Sequence, residues 1–174
     1  SYSKIIDKND ANTTLLFSDG AAACLVSGNG FGRLGYSTYG NDTRNHDALI
    51  VKQTSANLHM DGRAIYRMAM ENVPSCIQSC LEKNNLDIED VDRWYFHQGS
   101  KFVLDSVRKV LAIPDEKVPS NLLHVGNTTA SSIPILMKED ETALKLCKTV
   151  ALVGFGVGLS WACTIMRLGE SNDL

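Results

Sequence analysis

The sequence has no excess of positive charge. Lys and Arg number 17 against 20 Asp and Glu, for a formal net charge of −3. No basic block stands out, which argues against nucleic acid or an anionic membrane surface as a partner. Long apolar runs are also missing. The longest stretch, Val150 to Trp161, is broken by Gly154, Gly156 and Gly158 and is too short to span a membrane. Metal-ligand spacing is absent too. Of the five cysteines, Cys24, Cys76, Cys80, Cys147 and Cys163, none is spaced with histidine as in a zinc site. Cys76 and Cys80 lie four apart on one helix face, which could meet a metal, but no second pair completes a site. The preferred reading is buried thiols in a reducing cytosol, hence a cytoplasmic protein. Ser1 to Asp10 is polar, without an initiating Met or a leader-like apolar core, so a secretory signal is not expected. Neither a repeat nor a linker divides the 174 residues, which read as one domain.

What is present suits a packed core: 44% hydrophobic and 21% charged residues, a balance that excludes disorder. Thr14 to Phe17 and Ala21 to Val26 read as short strands, the second made of small residues, with a turn at Asp19-Gly20. A further strand is expected near Leu34 to Tyr39. Asn41 to Asp47, with His46, reads as a surface loop. Apolar residues at Ile65, Met68, Ala69 and Val73 have helical spacing, as do Ile77, Cys80 and Leu81 up to Asn84-Asn85. Pro74 between them predicts a kink or a fresh start. Val91 to Phe96 is a buried strand, and a helix capped by Ser100 carries Val103, Val107, Val110 and Leu111 on one face. A second helix holds Ile133, Leu136 and Met137. Val150 to Phe155 and Leu159 to Met166 are strands joined through Gly156-Val157-Gly158. Strands alternating with helices before a closing β-pair predict an α/β fold with a mixed sheet flanked by helices.

Two polar clusters fall where a strand ends and a helix begins. One carries His97. The other, thirty residues on, carries Asn127. The loop from Phe155 to Gly158 also follows a strand. Ligands collect at the carboxyl ends of strands in α/β sheets, so the three could converge on one pocket. Each also has a plain structural explanation: a satisfied histidine, turn chemistry after Gly126, a glycine-rich connection. The glycines at 28, 30 and 32 lack the strand-then-helix setting of a phosphate cradle.

The combination resembles a family. Phe96-His97-Gln98-Gly99-Ser100 is similar to the PHQAN motif of β-ketoacyl-acyl-carrier-protein synthase III. Gly126-Asn127-Thr128-Thr129-Ala130-Ser131-Ser132-Ile133-Pro134 resembles its GNTSAASIP motif. Phe155 to Trp161 resembles its FGGGFTW loop, and Ser18 to Ala23 its GDGAGAA segment. The four lie in the family's order, and the resemblance covers about Ser3 to Leu168. It implies a thiolase-like fold, of which residues 1–174 would be one half, the C-terminal domain. The nucleophilic cysteine would then come from an N-terminal half. None of the five cysteines here matches its motif.

The resemblance also implies roles. An acyl group passes from coenzyme A to the cysteine. Malonyl on acyl carrier protein then loses carbon dioxide, and the carbanion attacks the acyl-enzyme. His97 and Asn127 would be the catalytic pair, stabilising the enolate by donation rather than acting as bases. Phe155, Gly156, Val157 and Gly158 would line the pocket, with the Val157 N–H serving an oxyanion hole. Ser100, Arg108 and Lys109 are candidate contacts for the carrier or coenzyme A. No metal or bound cofactor is implied, only coenzyme A or phosphopantetheine thioesters as substrates. The implied partners are the N-terminal half, acyl carrier protein, acyl-CoA and a second copy in a homodimer, through an apolar face; the fragment alone would be inactive. Ser100 for asparagine, Val157 for glycine and Gly99 for alanine depart from the family pattern and bear on substrate choice. Two other functions remain open: an ester- or amide-forming acyltransferase that does not decarboxylate, and a non-catalytic interaction subunit. His124 is expected to make a structural hydrogen bond, and His59 to sit at a cap or loop.

Overall fold

A computed structural model describes residues 2–52 and 54–169. Along the chain run α1 (Ala11–Thr14), β1 (Gly32–Asn41), β2 (Leu49–Val51), β3 (Leu58–Met60), α2 (Gly62–Lys83), β4 (Arg93–Phe96), α3 (Lys101–Val110), α4 (Ser132–Glu139), α5 (Glu141–Leu144), β5 (Thr149–Gly156) and β6 (Ser160–Leu168). β2 and β3 form a small separate hairpin. The main sheet has the order β1-β6-β5-β4, with β4 parallel to β5 and the other pairs antiparallel. This is the mixed sheet that the alternation of elements predicts.

Side chains alternate across the sheet, so each face buries its own set. Trp94 and Phe96 of β4 join Ala151, Val153, Cys163 and Ile165 under α2 and α3. Tyr95 faces the other way, with Val150, Met166 and Leu168, against Leu136 of α4 and Leu144 of α5. On that side Arg93 donates to both oxygens of Asp140 at 2.6 and 2.7 Å, and the Tyr95 hydroxyl donates to the same carboxylate at 2.8 Å. The end of α4 is thereby tied to β4.

α2 begins at Asp61, whose carboxylate accepts from the N–H groups of Arg63 and Ala64 at 3.0 and 3.1 Å. These are two of the amides that a helix start leaves without partners. Replacing Asp61 by alanine is expected to lower stability by about 1 kcal/mol, and asparagine to retain most of it. Urea unfolding followed by circular dichroism measures both.

Three sequence expectations are corrected. α2 runs through Pro74 as one helix of 22 residues and does not restart there. Proline removes one donor and crowds the preceding turn. The stripe Met68, Ala69, Val73, Cys76, Ile77, Cys80 and Leu81 continues buried on both sides of it, and that packing favours a continuous helix. Thr14 ends a helical turn rather than opening a strand. Asp10 caps that turn, accepting from Asn12 N–H and from the Thr13 hydroxyl, and local capping outweighs β-propensity. Ala21 to Val26 is not a strand: it pairs with nothing in the sheets of the described residues, and Leu25 and Val26 are 92% and 83% exposed. A strand needs a neighbour for its ladder bonds, and the neighbour of β1 is β6. The loop of His46, the strand near Leu34 to Tyr39 and the closing pair stand as expected. His59 lies on β3, exposed. His124 is exposed, 3.7 Å from Glu139, beyond a hydrogen bond.

Candidate active site

β4 and β5 end side by side. They pair from Arg93 opposite Val150 to Phe96 opposite Val153. The His97 N–H donates to Val153 O at 2.7 Å, extending the ladder one residue before the chain turns away. Two residues further along β5 lies Phe155, whose ring meets the His97 imidazole edge-on, centroids 5.6 Å apart at 83°. The parallel pairing thus delivers His97 and the Phe155–Gly156 strand end to one place.

Asn127 arrives by a different route. Its backbone is held by the segment before Asp19: Asn127 N–H donates to Leu16 O at 3.0 Å, and Ser18 N–H to Asn127 O at 2.9 Å. The Ser18 hydroxyl donates to Val125 O. Gly126 takes φ +75°, and a Cβ there would sit 3.1 Å from Ser18 Oγ, so glycine alone fits the approach. The Asn127 side chain is 4% exposed. Its Oδ1 accepts from Thr129 N–H at 2.9 Å, an arrangement that fixes which way the amide points. Its Nδ2 is left with one long contact, to Gly99 O at 3.4 Å.

Gly99 is the meeting point. A Cβ built there would lie 3.3 Å from His97 Nε2, while its carbonyl faces Asn127 Nδ2. Two nitrogens of different residues therefore flank one small residue. They open on a cleft of about 830 Å³, within the range of small-molecule sites. Its walls are mostly apolar, from Leu16, Phe17, Ile65, Val103, Ile133 and Phe155 among others, and among the described residues no Asp, Glu, Lys or Arg side chain lines it.

That composition sets the histidine's chemistry. Burial pushes the His97 imidazole down to about 4, opposed in part by the Thr129 backbone. At neutral pH the ring is uncharged and a weak base, but it still carries one N–H to donate. Asn127 does not titrate, and with its Oδ1 engaged by Thr129 N–H it meets the cleft through the donor Nδ2. The pair is suited to stabilising a developing negative charge, not to removing a proton.

Of the residues singled out in the sequence, His97, Asn127, Ser100, Phe155, Gly156 and Val157 line the cleft, whereas Gly158, Arg108 and Lys109 do not. Arg108 turns under the end of α3, donating to Ile113 O at 3.2 Å and pairing with Asp115 at 3.2 Å. Lys109 is exposed outside the cleft. None of the five cysteines lines the cleft among the described residues: Cys76, Cys80 and Cys163 are buried in the core, and Cys24 is exposed. Sequence reasoning assigned no role in the site to four residues that shape it. Ser132, 2% exposed, places Oγ 2.8 Å from His97 Nδ1. Gln98, fully buried, links Phe96 O to Ser120 and Asn121. Leu16 and Phe17 form part of the wall. Ser132 falls inside a motif already noted, yet its spacing alone says nothing about contact with His97.

Comparison with known proteins places the chain in a family. The family profile described as 3-oxoacyl-acyl-carrier-protein synthase III, C terminal, matches residues 81–168. The companion profile for 3-oxoacyl-acyl-carrier-protein synthase III matches residues 1–42. A beta-ketoacyl-acyl-carrier-protein synthase III from Lactococcus lactis subsp. lactis is 38% identical over 96% of the chain and 57% of the relative. One from Trichormus variabilis is 34% identical over 97% of the chain and 56% of the relative. Among solved structures, the 3-oxoacyl-acyl-carrier-protein synthase III of Pseudomonas aeruginosa PAO1 superposes with TM-score 0.84 at 27% identity, over 98% of this chain and 56% of that one. That of Thermus thermophilus gives 0.83 at 30% identity, over 97% and 57%. The chain spans little more than half the length of the relatives it matches.

Proposed function

The chain belongs to the 3-oxoacyl-acyl-carrier-protein synthase III family, with its thiolase-like fold, and on that premise we propose that it is the C-terminal catalytic part of a condensing acyltransferase. The observation that carries this reading is the neutral His97 and the oriented Asn127 amide flanking Gly99 in a cleft that no charged side chain of the described residues lines.

In the proposed reaction an acyl group from coenzyme A rests as a thioester on a cysteine outside these 174 residues. A malonyl thioester on acyl carrier protein then enters the cleft. Its carbon–carboxylate bond breaks, carbon dioxide leaves, and the electron pair moves into the thioester carbonyl as an enolate. His97 and Asn127 donate to that oxygen. The α-carbon attacks the acyl carbonyl, the bond to the cysteine sulfur breaks, and the thiolate departs. Apolar walls and the edge of Phe155 disfavour the charged carboxylate against neutral carbon dioxide. The backbone around Val157 would serve the oxyanion of the acyl-transfer step. This chemistry needs thioester substrates and no bound cofactor, and it belongs to fatty acid biosynthesis, with the enzyme a cytoplasmic homodimer. Among the described residues no helix is long and apolar enough to cross a membrane.

The deciding experiment offers the full-length, acyl-primed protein a malonyl thioester in one arm and alcohol or amine acceptors in the other. Release of carbon dioxide with a 3-oxoacyl product is expected. Ester or amide formation without carbon dioxide release sinks the condensing reading in favour of a transferase on the same fold. No acyl transfer in either arm leaves an interaction subunit.

A further inference from the structure

His97 has two ring nitrogens, and the proposed role needs the hydrogen on Nε2, the one beside Gly99. What places it there is decided at Nδ1. The Ser132 hydroxyl has one hydrogen and two lone pairs. Among the described residues it makes two hydrogen bonds. One comes from Gln98 N–H at 3.3 Å, and a backbone amide can only donate. The other joins His97 Nδ1 at 2.8 Å, where either atom can be the donor. If Nδ1 carried the hydrogen, Oγ would accept twice, and the hydroxyl hydrogen of a 2% exposed residue would lack an acceptor. A buried donor without a partner costs about 1–3 kcal/mol. If Ser132 donates instead, the serine hydroxyl and Nδ1 are both satisfied and Nε2 holds the ring hydrogen.

We infer that Ser132 is a positioning residue that selects the Nε2–H tautomer of His97, so that the imidazole donates into the cleft. Among the described residues the Ser132 hydroxyl hydrogen has no acceptor other than Nδ1, and that fixes the direction of the bond. The inference rests on the condensing reading for its purpose, not for its geometry.

The test is the ring-nitrogen NMR spectrum of the intact, 15N-histidine-labelled protein at neutral pH. His97 is identified by the signals lost in His97→Gln. Nδ1 is expected in the pyridine-type region and Nε2 in the pyrrole-type region. In Ser132→Ala, where Nδ1 loses its hydroxyl donor, the pattern should shift away from the Nε2–H form, and in Ser132→Thr, which keeps a hydroxyl, the original pattern should persist. A pyrrole-type Nδ1 in the unmodified protein, or a pattern unmoved in Ser132→Ala, overturns the inference. In the full-length enzyme, Ser132→Ala is expected to lower kcat for malonyl decarboxylation about tenfold with KM little changed, and Ser132→Thr to restore most of it. That loss is smaller than removal of a donor because the minor tautomer still donates. An unchanged kcat alongside a shifted tautomer pattern would count against the donor role of His97 while leaving the tautomer assignment standing.

Discussion

Malonyl decarboxylation by the full-length protein is expected to fall 10²–10³-fold when Asn127 is replaced by alanine, the usual cost of losing one oxyanion donor. The amide is held by Thr129 N–H on its oxygen, so its nitrogen is already aimed and no reorganisation is needed as charge develops. Asn127→Asp is the sharper variant. It is nearly isosteric and can still accept from Thr129 N–H, so the fold should tolerate it. Its second oxygen, however, replaces a donor by a negative charge beside Gly99 O and beside the enolate, and its rate should be at or below that of Asn127→Ala. Loading of the cysteine by acyl-CoA should change far less, because that oxyanion is assigned to the backbone near Val157. Carbon dioxide release and the mass of the acyl-enzyme separate the two steps. Decarboxylation within tenfold of the unmodified rate in Asn127→Ala would remove Asn127 from the mechanism.

His97 should make the folded protein sensitive to mild acid. Its imidazole is held near 4, whereas the unfolded chain titrates at the ordinary value of 6.5. Between those values the unfolded state binds a proton that the folded state refuses. Above pH 6.5 neither state is protonated, and this group adds no pH dependence. As pH falls from 6.5 towards 4 stability is lost, and below 4 both states carry the proton and the slope ends. The interval corresponds to about 3 kcal/mol. His97→Gln removes the titration and keeps an amide in its place. Urea unfolding of both proteins at steps from pH 7 to pH 4 should therefore show the unmodified protein losing about 3 kcal/mol more than the variant. Parallel curves would mean that the ring accepts a proton in place. The same argument predicts that decarboxylation shows no histidine titration between pH 5 and 8.

Much of this was legible in the sequence because it is locally encoded. The Ser100 cap, most of the α3 face and the closing strands β5 and β6 depend on neighbours a few residues away, and the structure has them where the pattern placed them, except that Val110 on that face is exposed and Leu104 is buried instead. His97 and Asn127 could be found as polar residues where secondary structure changes type. What could not be read depends on distant partners. Ala21 to Val26 has the composition of a strand, but composition does not supply an adjacent strand. Pro74 is a local break signal overruled by a buried stripe on both sides of it. Arg108 looks like a free cation on a helix until its turn towards Ile113 and Asp115 is seen. Ser132 is the clearest case. Nothing distinguishes it from Ser131 in sequence, yet one is exposed enough to meet solvent and the other is buried against the histidine.

The two donors are not equally secured. The bond that seats His97 joins it to Ser132 across 35 residues, whereas the Ser18 hydroxyl that helps seat Asn127 reaches Val125 across 107. Closing the longer loop costs about 1 kcal/mol more in chain entropy. Contacts of long sequence separation also form late. The histidine half of the site therefore rests on the shorter closure and the asparagine half on the longer one.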